Sequence, residues 1–407
     1  MNKLKLSPKK ADLSGPKTVD STSPEGLEFH YADEAKPLAT PWQVAIERAK
    51  LVRKCNIPKG LILDPACGSG IQLAAYCAML GRVGLGIEMH EKTAIAANAN
   101  LRRVADHGFN DCLLDSSIVV GDGTVGSPSQ KFAMLHLDPA RPRNSRTHGL
   151  DEMRPRLPEI FDAWKDSLID GERGPAILLD LSPRLDSNLR KQVEEIVESF
   201  WPGIGKTWVW TSRGKGRVDR LSLWVGQLST PGISRRFVRI PPNLKLKPLI
   251  IEGDEIEIAG HRRPPRKGEY VSILDAALVE SGLVMKYLES VAPDQEITWS
   301  VVDGRRPQIH HPREMEFLDI QQKLLVQATG RVVKLVHSEL SMDTMSHLVQ
   351  ASRDYGFGKL TLRLAVEPDL QPRLQGSLDR QLSAKGGSHV GFVAKQPHDS
   401  MLLLCLE

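Results

Sequence analysis

The chain has 407 residues, 41% hydrophobic and 26% charged, which is globular composition with enough length for two compact cores. No apolar run approaches the roughly 18–20 residues that span a bilayer, and the basic start MNKLKLSPKK leads into polar sequence where a signal peptide needs an apolar stretch. A cytoplasmic protein is therefore expected, and its net charge of +4 is too small by itself to announce a nucleic-acid partner.

Residues 1–27, rich in Lys, Ser, Pro and Asp, are expected to form a flexible tail. Thr40-Pro41-Trp42-Gln43 starts a helix over 42–54, with Val44, Ala45, Ala49, Leu51 and Val52 as its apolar positions. Short apolar runs then alternate with helical stretches: Leu61 to Leu63 as a strand, 71–80 as an Ala-rich helix, Val83 to Ile87 as a strand and 91–107 as a helix. The alternation continues with Ile118 to Val120, Ala133 to Leu137, the helix-like 157–169, Ala176 to Leu179 and the amphipathic 187–200. Strands separated by helices imply a mostly parallel sheet covered on both faces. Thr207 to Trp210 and Leu221 to Val225, joined by a turn on Gly214 and Gly216, form a hairpin that closes the sheet edge. Thr230-Pro231-Gly232 marks a boundary, giving a first domain over 28–229 and a smaller second one over 230–407. The second carries strands at 236–240 and 247–251, a Pro/Arg-rich loop at 261–268, a helix over about 271–281, and mixed elements up to the apolar run Met401 to Leu406.

The strand at 61–63 runs into Asp64-Pro65-Ala66-Cys67-Gly68-Ser69-Gly70 and then a helix. A glycine turn at the carboxyl edge of a parallel sheet is where such folds bind ligands, because glycine lets the backbone approach closely. Ala66 and Ser69 keep the loop open, and Asp64 offers an acceptor to an amino group, directly or through water. The loop lacks GxGxxG, which disfavours a dinucleotide oxidoreductase. Glu88 ends the next strand about 20 residues on, where two oxygens can hold a ribose diol. Asp122 ends the third strand, suited to an adenine amino group, and Asp138 ends the fourth. One strand-end acid is ordinarily a cap or a turn, but four in succession with glycines around three outweigh that reading.

On these residues the sequence resembles the class I S-adenosylmethionine-dependent methyltransferases. DPACGSG at 64–70 matches their motif I and Asp138-Pro139-Ala140-Arg141 their motif IV, with the likeness spanning about 40–228. The resemblance implies a Rossmann-like α/β fold and S-adenosyl-L-methionine as cofactor. It places Asp64, Ala66, Gly68 and Gly70 at the methionine end, Glu88 at the ribose and Asp122 at the adenine. ATPWQVAIERAKLV (39–52), DPAR and LSP (181–183) resemble a bacterial subgroup with a THUMP-like C-terminal domain. EYVSILDAALVESGLV (269–284) and GFGKLTLRLAVEPD (356–369) are similar to segments of that domain. THUMP and THUMP-like domains are associated with RNA, particularly tRNA, so the resemblance implies a tRNA or rRNA substrate.

Motif IV sits beside the transferred methyl group, and its usual form in amino-methylating enzymes is Asp or Asn, Pro, Pro and an aromatic that stacks on a flipped base. Here Ala140 replaces the second proline and Arg141 the aromatic. A guanidinium can stack on a base or clamp a phosphate, so Asp138, Pro139 and Arg141 remain the catalytic candidates, without favouring N6 of adenine over other base atoms. DPAR also resembles the DPPR of 5-methyluridine-forming enzymes, but Leu179-Asp180-Leu181-Ser182-Pro183 has no cysteine where those enzymes place their nucleophile. Ser182 and Pro183 either shape the acceptor pocket or form a strand-end turn. Arg141, Arg143, Arg146, Arg154 and Arg156 crowd the next segment, where guanidinium groups could grip phosphates beside a target nucleotide, or be paired by Asp151, Glu152 and Glu159. Basic clusters at 206–220, 235–239 and 261–267 are each ordinarily solvated loops, but together, beside a methyltransferase-like domain, they favour a phosphate-bearing substrate somewhat more.

The five cysteines form no CxxC pair, so free thiols are expected; no metal is expected, and His310-His311 is read as a loop pair. Cys67 is read as a packing residue. An RNA methyltransferase is the leading reading; alternatives are a methyltransferase of a protein or small molecule and a non-catalytic RNA-binding relative.

Overall fold

The computed structural model describes residues 4–32, 40–127, 129–140, 149–214, 216–243, 245–258, 263–302, 304–384, 386–396 and 401–407. The chain divides into two compact units, Met1–Val209 with Arg220–Ser234, and Trp210–Asp219 with Arg235–Glu407.

In the first unit, β1 (Leu4–Leu6), β2 (Lys17–Val19) and β3 (Glu28–His30) precede α1 (Trp42–Arg53). Then come β4 (Leu61–Asp64), α2 (Ile71–Leu80), β5 (Gly84–Glu88), α3 (Glu91–Asp106), α4 (Cys112–Asp115), β6 (Ser117–Val120), β7 (Phe132–Leu137) and α5 (Leu157–Trp164). β8 (Asp170–Gly171), β9 (Gly174–Leu181), α6 (Ser187–Phe200), β10 (Lys206–Ser212) and β11 (Arg220–Gly226) follow. The strand order is β1-β6-β5-β4-β7-β9-β11-β10. Neighbours from β6 to β9 are parallel and β11 is antiparallel to β9. The order reverses between β4 and β7, the crevice where α/β sheets take their ligands. β7 and most of β9 are buried, so they read as continuous apolar runs. The expected hairpin forms, with its second strand inserted beside β9 and its first outside it.

The segment expected as a flexible tail is instead built into this unit. β1 adds an antiparallel edge strand, Leu4–Leu6 against Ile118–Val120. Asp20 Oδ2 accepts from Trp42 N at 2.7 Å and Thr22 Oγ1 from Gln43 N at 3.1 Å, so this segment caps α1 where Pro41 has no capping side chain. Buried Asn100 of α3 grips the main chain of His30, accepting from its N–H at 2.7 Å and donating to its carbonyl at 2.9 Å. Composition missed these anchors because they are single polar contacts whose partners, such as Trp42 and Gln43, lie elsewhere in the sequence.

The second unit contains β12 (Arg235–Arg239) and β13 (Leu249–Gly253), an antiparallel pair, then β14 (Tyr270–Leu274), α7 (Ala276–Glu280), α8 (Val284–Val291), β15 (Thr298–Val301), β16 (Gln308–His311) and α9 (Ile320–Lys323). β17 (Val326–His337), α10 (Met345–Asp354), β18 (Phe357–Leu362), α11 (Gln371–Ser383), β19 (His389–Lys395) and β20 (Met401–Leu406) complete it. Its main sheet runs β15-β16-β14-β17-β20-β19-β18, antiparallel except for the β18–β19 pair. This is an α+β layout. Leu360, Leu378, Leu382, Leu404 and Met345 fill one side of the sheet, and Val271, Ile273, Val332, Phe392 and Leu403 another core.

Two expectations here need correction. The helix foreseen over 271–281 splits, because Tyr270–Leu274 carries β-branched and aromatic residues suited to a strand, and Asp275 then caps a short helix by accepting from Ala277 N at 2.9 Å. His310 and His311 lie in buried strand β16, not in a loop; Ser272 Oγ meets His311 Nε2 at 2.8 Å and Ser300 Oγ meets His310 Nδ1 at 3.0 Å.

Candidate functional site

β4 delivers the chain to the glycine loop, and the backbone there requires glycine: Gly68 has φ +50° and Gly70 φ +69°. The two differ in surroundings. A Cβ on Gly70 would lie 3.0 Å from Ala97 Cβ of α3, whereas one on Gly68 would meet nothing within 4 Å. Gly70 serves packing; Gly68 borders open space.

Three loops are tied together around that space. Cys67 N donates to Ile87 O at 3.0 Å, Gly68 N to Glu88 Oε2 at 3.2 Å, and Gly121 N to Glu88 O at 3.0 Å. Glu88 Oε1 also accepts from His90 N at 2.8 Å, so the half-buried carboxylate is oriented at both oxygens. Gly123 packs so tightly on the first loop that a Cβ would fall 2.0 Å from Pro65 O, while Trp164 Nε1 donates to Gly123 O at 2.7 Å. Exposed Asp122 turns its Oδ1 onto Thr124, accepting from the backbone N at 2.9 Å and the hydroxyl at 2.8 Å. Asn100 Nδ2 donates to Ser69 O at 2.8 Å and thereby holds the loop from behind. Cys67 is buried, 2.8 Å from where a Gly86 Cβ would lie, and burial first, with the charges of Asp64 and Glu88, pushes its thiol far up. It is an inert packing residue.

Beneath the loops runs a buried polar chain. Asp64, 1% exposed, accepts from Ala66 N at 3.3 Å through Oδ1 and faces His136 Nδ1 at 2.8 Å through Oδ2. His136 Nε2 lies 3.3 Å from Asp180 Oδ2, which also pairs with Arg48 of α1. Arg48 Nη1 donates to Gln72 Oε1 at 3.3 Å, and the Tyr76 ring stands edge-on to His136 at 5.3 Å. Burial would hold His136 down, but the Asp64 charge and the bonds to Asp180 and Asp64 outweigh it and push the imidazole up to about 9. It is therefore cationic at neutral pH. Asp180, which burial alone would raise, is held well below the usual carboxylate range by Arg48 and then His136.

Asp138 follows β7 and is half-buried, with Pro139 buried beside it. Its carboxyl is pushed up by burial and by the Asp180 charge, against the pull of Arg220, His136 and Arg48. Ala140 O accepts from Arg154 N at 2.9 Å, and the Arg154 guanidinium is bound to the carbonyls of Asp151 and Met153 at 2.6 and 2.8 Å. Arg156 N donates to Glu159 Oε2 at 3.1 Å. Arg141, Arg143 and Arg146 lie outside the described residues. Ser182 is buried in a tight turn, accepting from Arg184 N at 3.2 Å through Oγ, and Pro183 is exposed. Several described cations of the basic clusters are paired: Lys206 with Glu198 at 2.5 Å, Arg213 with Asp219 at 3.0 Å, Arg236 with Glu252 at 2.6 Å and Arg263 with Glu269 at 2.5 Å.

Residues 44–141 match the family model of protein-L-isoaspartate(D-aspartate) O-methyltransferase, a stretch that takes in most of α1, the glycine loop and Asp138. The chain is a class I S-adenosylmethionine-dependent methyltransferase. A protein of Porphyromonas gingivalis W83 assigned as a methyltransferase is similar over 92% of this chain and 82% of its own, at 15% identity and a TM-score of 0.59, and so shares the fold of both units. The precorrin-6y C5,15-methyltransferase of Geobacter metallireducens GS-15 covers 49% of this chain and 92% of its own at 13% identity and a TM-score of 0.34. A Pyrococcus horikoshii protein assigned as an RNA methyltransferase covers 46% and 83% at 11% identity and a TM-score of 0.31. Neither of these two bears on this chain's acceptor. None of the curated proteins matches in sequence.

The methyltransferase uses S-adenosylmethionine. The open side of Gly68 and the oriented Glu88 carboxylate fit a ligand with a ribose diol. The structure brings Asp64, Ala66, Gly68, Gly70 and Glu88 together, with the Asp122 loop clamped to them through Gly121 and Gly123. Asp64 spends its carboxylate on Ala66 and His136, so it shapes the loop from below. Sequence reasoning missed Arg48, His136, Asp180 and Asn100. The signal was present, since His136 and Asp180 are lone polar residues inside otherwise apolar parallel strands, where burial demands a partner.

No group of three or more His, Cys, Asp or Glu residues suited to a metal ion occurs among the described residues, and none of their helices is long and apolar enough to cross a membrane.

Proposed function

We propose that this methyltransferase modifies a base of RNA, tRNA or rRNA, with the acceptor held at Asp138-Pro139-Ala140-Arg141. The observation that carries the acceptor assignment is Asp138: a half-buried carboxyl, pushed up by burial and by Asp180, at the carboxyl end of the strand next to the glycine loop. In this reading Asp64, Ala66, Gly68 and Gly70 border the methionine end of the cofactor, Glu88 binds its ribose and Asp122 its adenine. The cofactor would supply an electrophilic methyl carbon on a sulfonium; a nucleophilic nitrogen would bond to that carbon as the carbon–sulfur bond breaks, its electron pair leaving with the sulfur as a neutral thioether. Asp138 accepts a hydrogen bond from that nitrogen, orients it in line, and takes the proton released as the new bond forms. Ser182, Pro183, Arg141, Arg143 and Arg146 border the acceptor. The RNA reading draws support from the run of arginines after Asp138 and from the likeness of 269–284 and 356–369 to a THUMP-like domain.

A protein acceptor is the second reading, favoured by the name of the family model over 44–141. Purified protein with methyl-labelled cofactor, offered RNA and protein from cells lacking the gene, separates the two. Label in RNA, together with one methylated nucleoside missing from those cells, supports the proposal; label confined to protein refutes it.

A further inference from the structure

A cavity of about 400 Å³ in the second unit lies among Lys267, Gly268, Arg331, Tyr355, Phe357 and His389, together with neighbouring strand residues. It is built by irregularities of the sheet. β17 shifts register between Val332 and Lys334, and β18 between Phe357 and Lys359; such bulges re-aim side chains at sheet rims. The Lys267-Gly268 turn is fixed by Gly268 N donating to Val332 O and Val332 N to Glu269 O, both at 2.8 Å. Gly268 has φ +95°, and a Cβ there would meet nothing within 4 Å.

The lining sets one cation over a ring and two rings edge to face. Lys267 Nζ stands 5.8 Å from the Tyr355 ring centroid, and the His389 ring meets Phe357 edge-on at 6.2 Å. His389 Nδ1 lies 2.8 Å from Tyr355 O; a carbonyl only accepts, so Nδ1 carries the hydrogen and the ring is held in place. Elsewhere in this unit Arg213, Arg235, Arg236, Arg239 and Arg263 each have a carboxylate within 4.0 Å. Among the described residues no carboxylate comes that close to Lys267 or Arg331. Two unneutralised cations beside stackable rings, in a cavity of small-ligand size, suit a ligand that is both anionic and aromatic.

We infer that this cavity is a subsite for one nucleotide of a single-stranded RNA, its base against Tyr355 and His389 and its phosphate against Lys267 and Arg331. The inference rests on the RNA reading for the identity of the strand and adds where the second unit holds it.

Fluorescence anisotropy of a short labelled single-stranded RNA on the full-length protein, across a salt series, tests it. Lys267→Ala and Arg331→Ala should each weaken binding and each lower the slope of log K against log salt by about 0.7. Tyr355→Ala should weaken binding roughly tenfold at unchanged slope, and Tyr355→Phe, which keeps the ring, should restore it. If the wild type binds no RNA, the RNA reading and this site both fail. If it binds and all four variants match it, the site alone is overturned. Binding of poly-glutamate in place of RNA, abolished by the same two alanines, would overturn the nucleotide assignment.

Discussion

Gly68 and Gly70 offer a paired experiment in which the same substitution has different consequences two residues apart. Both have left-handed backbone, φ +50° and +69°, so alanine costs each about 1–2 kcal/mol of strain. At Gly70 a second cost is added. The new Cβ would sit 3.0 Å from Ala97 Cβ and 3.2 Å from Ala97 Cα and O, so the backbone of α3 has to give, and overpacking of this kind costs about 1–3 kcal/mol. Gly70→Ala should therefore lose about 2–5 kcal/mol. Gly68→Ala meets no protein atom within 4 Å, so its loss should stay near 1–2 kcal/mol, while the methyl group projects into the space assigned to the cofactor. Denaturant unfolding and calorimetric titration with S-adenosylmethionine read the two effects separately. Gly68→Ala should keep most of its stability and lose at least about tenfold in affinity, as about 1.4 kcal/mol of lost contact gives. Wild-type affinity in Gly68→Ala, or equal stability loss in both variants, would refute the assignment of that space.

Asp138→Ala should abolish methyl transfer and leave cofactor affinity within about twofold of wild type; equal loss of both would contradict its place on the acceptor side. His136 binds its proton more tightly folded than unfolded, about 9 against 6.5, so its contribution is complete below pH 6.5 and is lost as pH rises through about 9. Unfolding free energies across that window should fall by about 1–3 kcal/mol for wild type and stay nearly level for His136→Gln; a flat or rising wild-type curve would sink the argument. Arg48→Leu leaves buried Asp180 with His136 and the charge of Arg220 in place of its ion pair, and should cost about 3–5 kcal/mol by the same unfolding measurement. A loss below about 1 kcal/mol would show that the pair is not buried as described.

The first unit was legible because its strands and helices alternate with caps and glycines at their ends. The helix at 71–80 and the amphipathic helix at 187–200 fall where the periodicity puts them, and Asp186 caps the latter by accepting from Leu189 N at 2.8 Å. Pattern reading failed where a long-range polar contact decides the structure. Asp20 and Asn100 anchor a segment whose composition reads as a tail. It failed again at 270–281, where a strand and a helix share one apolar run and only the cap at Asp275 divides them. At the site, the strand-end acids were visible from spacing. The cationic His136 beneath them was not, because its partners Asp64 and Asp180 stand 72 and 44 residues away.

The central claim is that the methyl donor is held by the loop at Asp64 to Gly70 together with Glu88. Calorimetric titration of S-adenosylmethionine into wild type and Glu88→Ala measures this directly. Glu88 orients Gly68 and is proposed to bind the ribose, so wild type should bind one equivalent and Glu88→Ala should bind at least about tenfold more weakly. Equal affinity in the two proteins, or no binding by the wild type, would contradict the account.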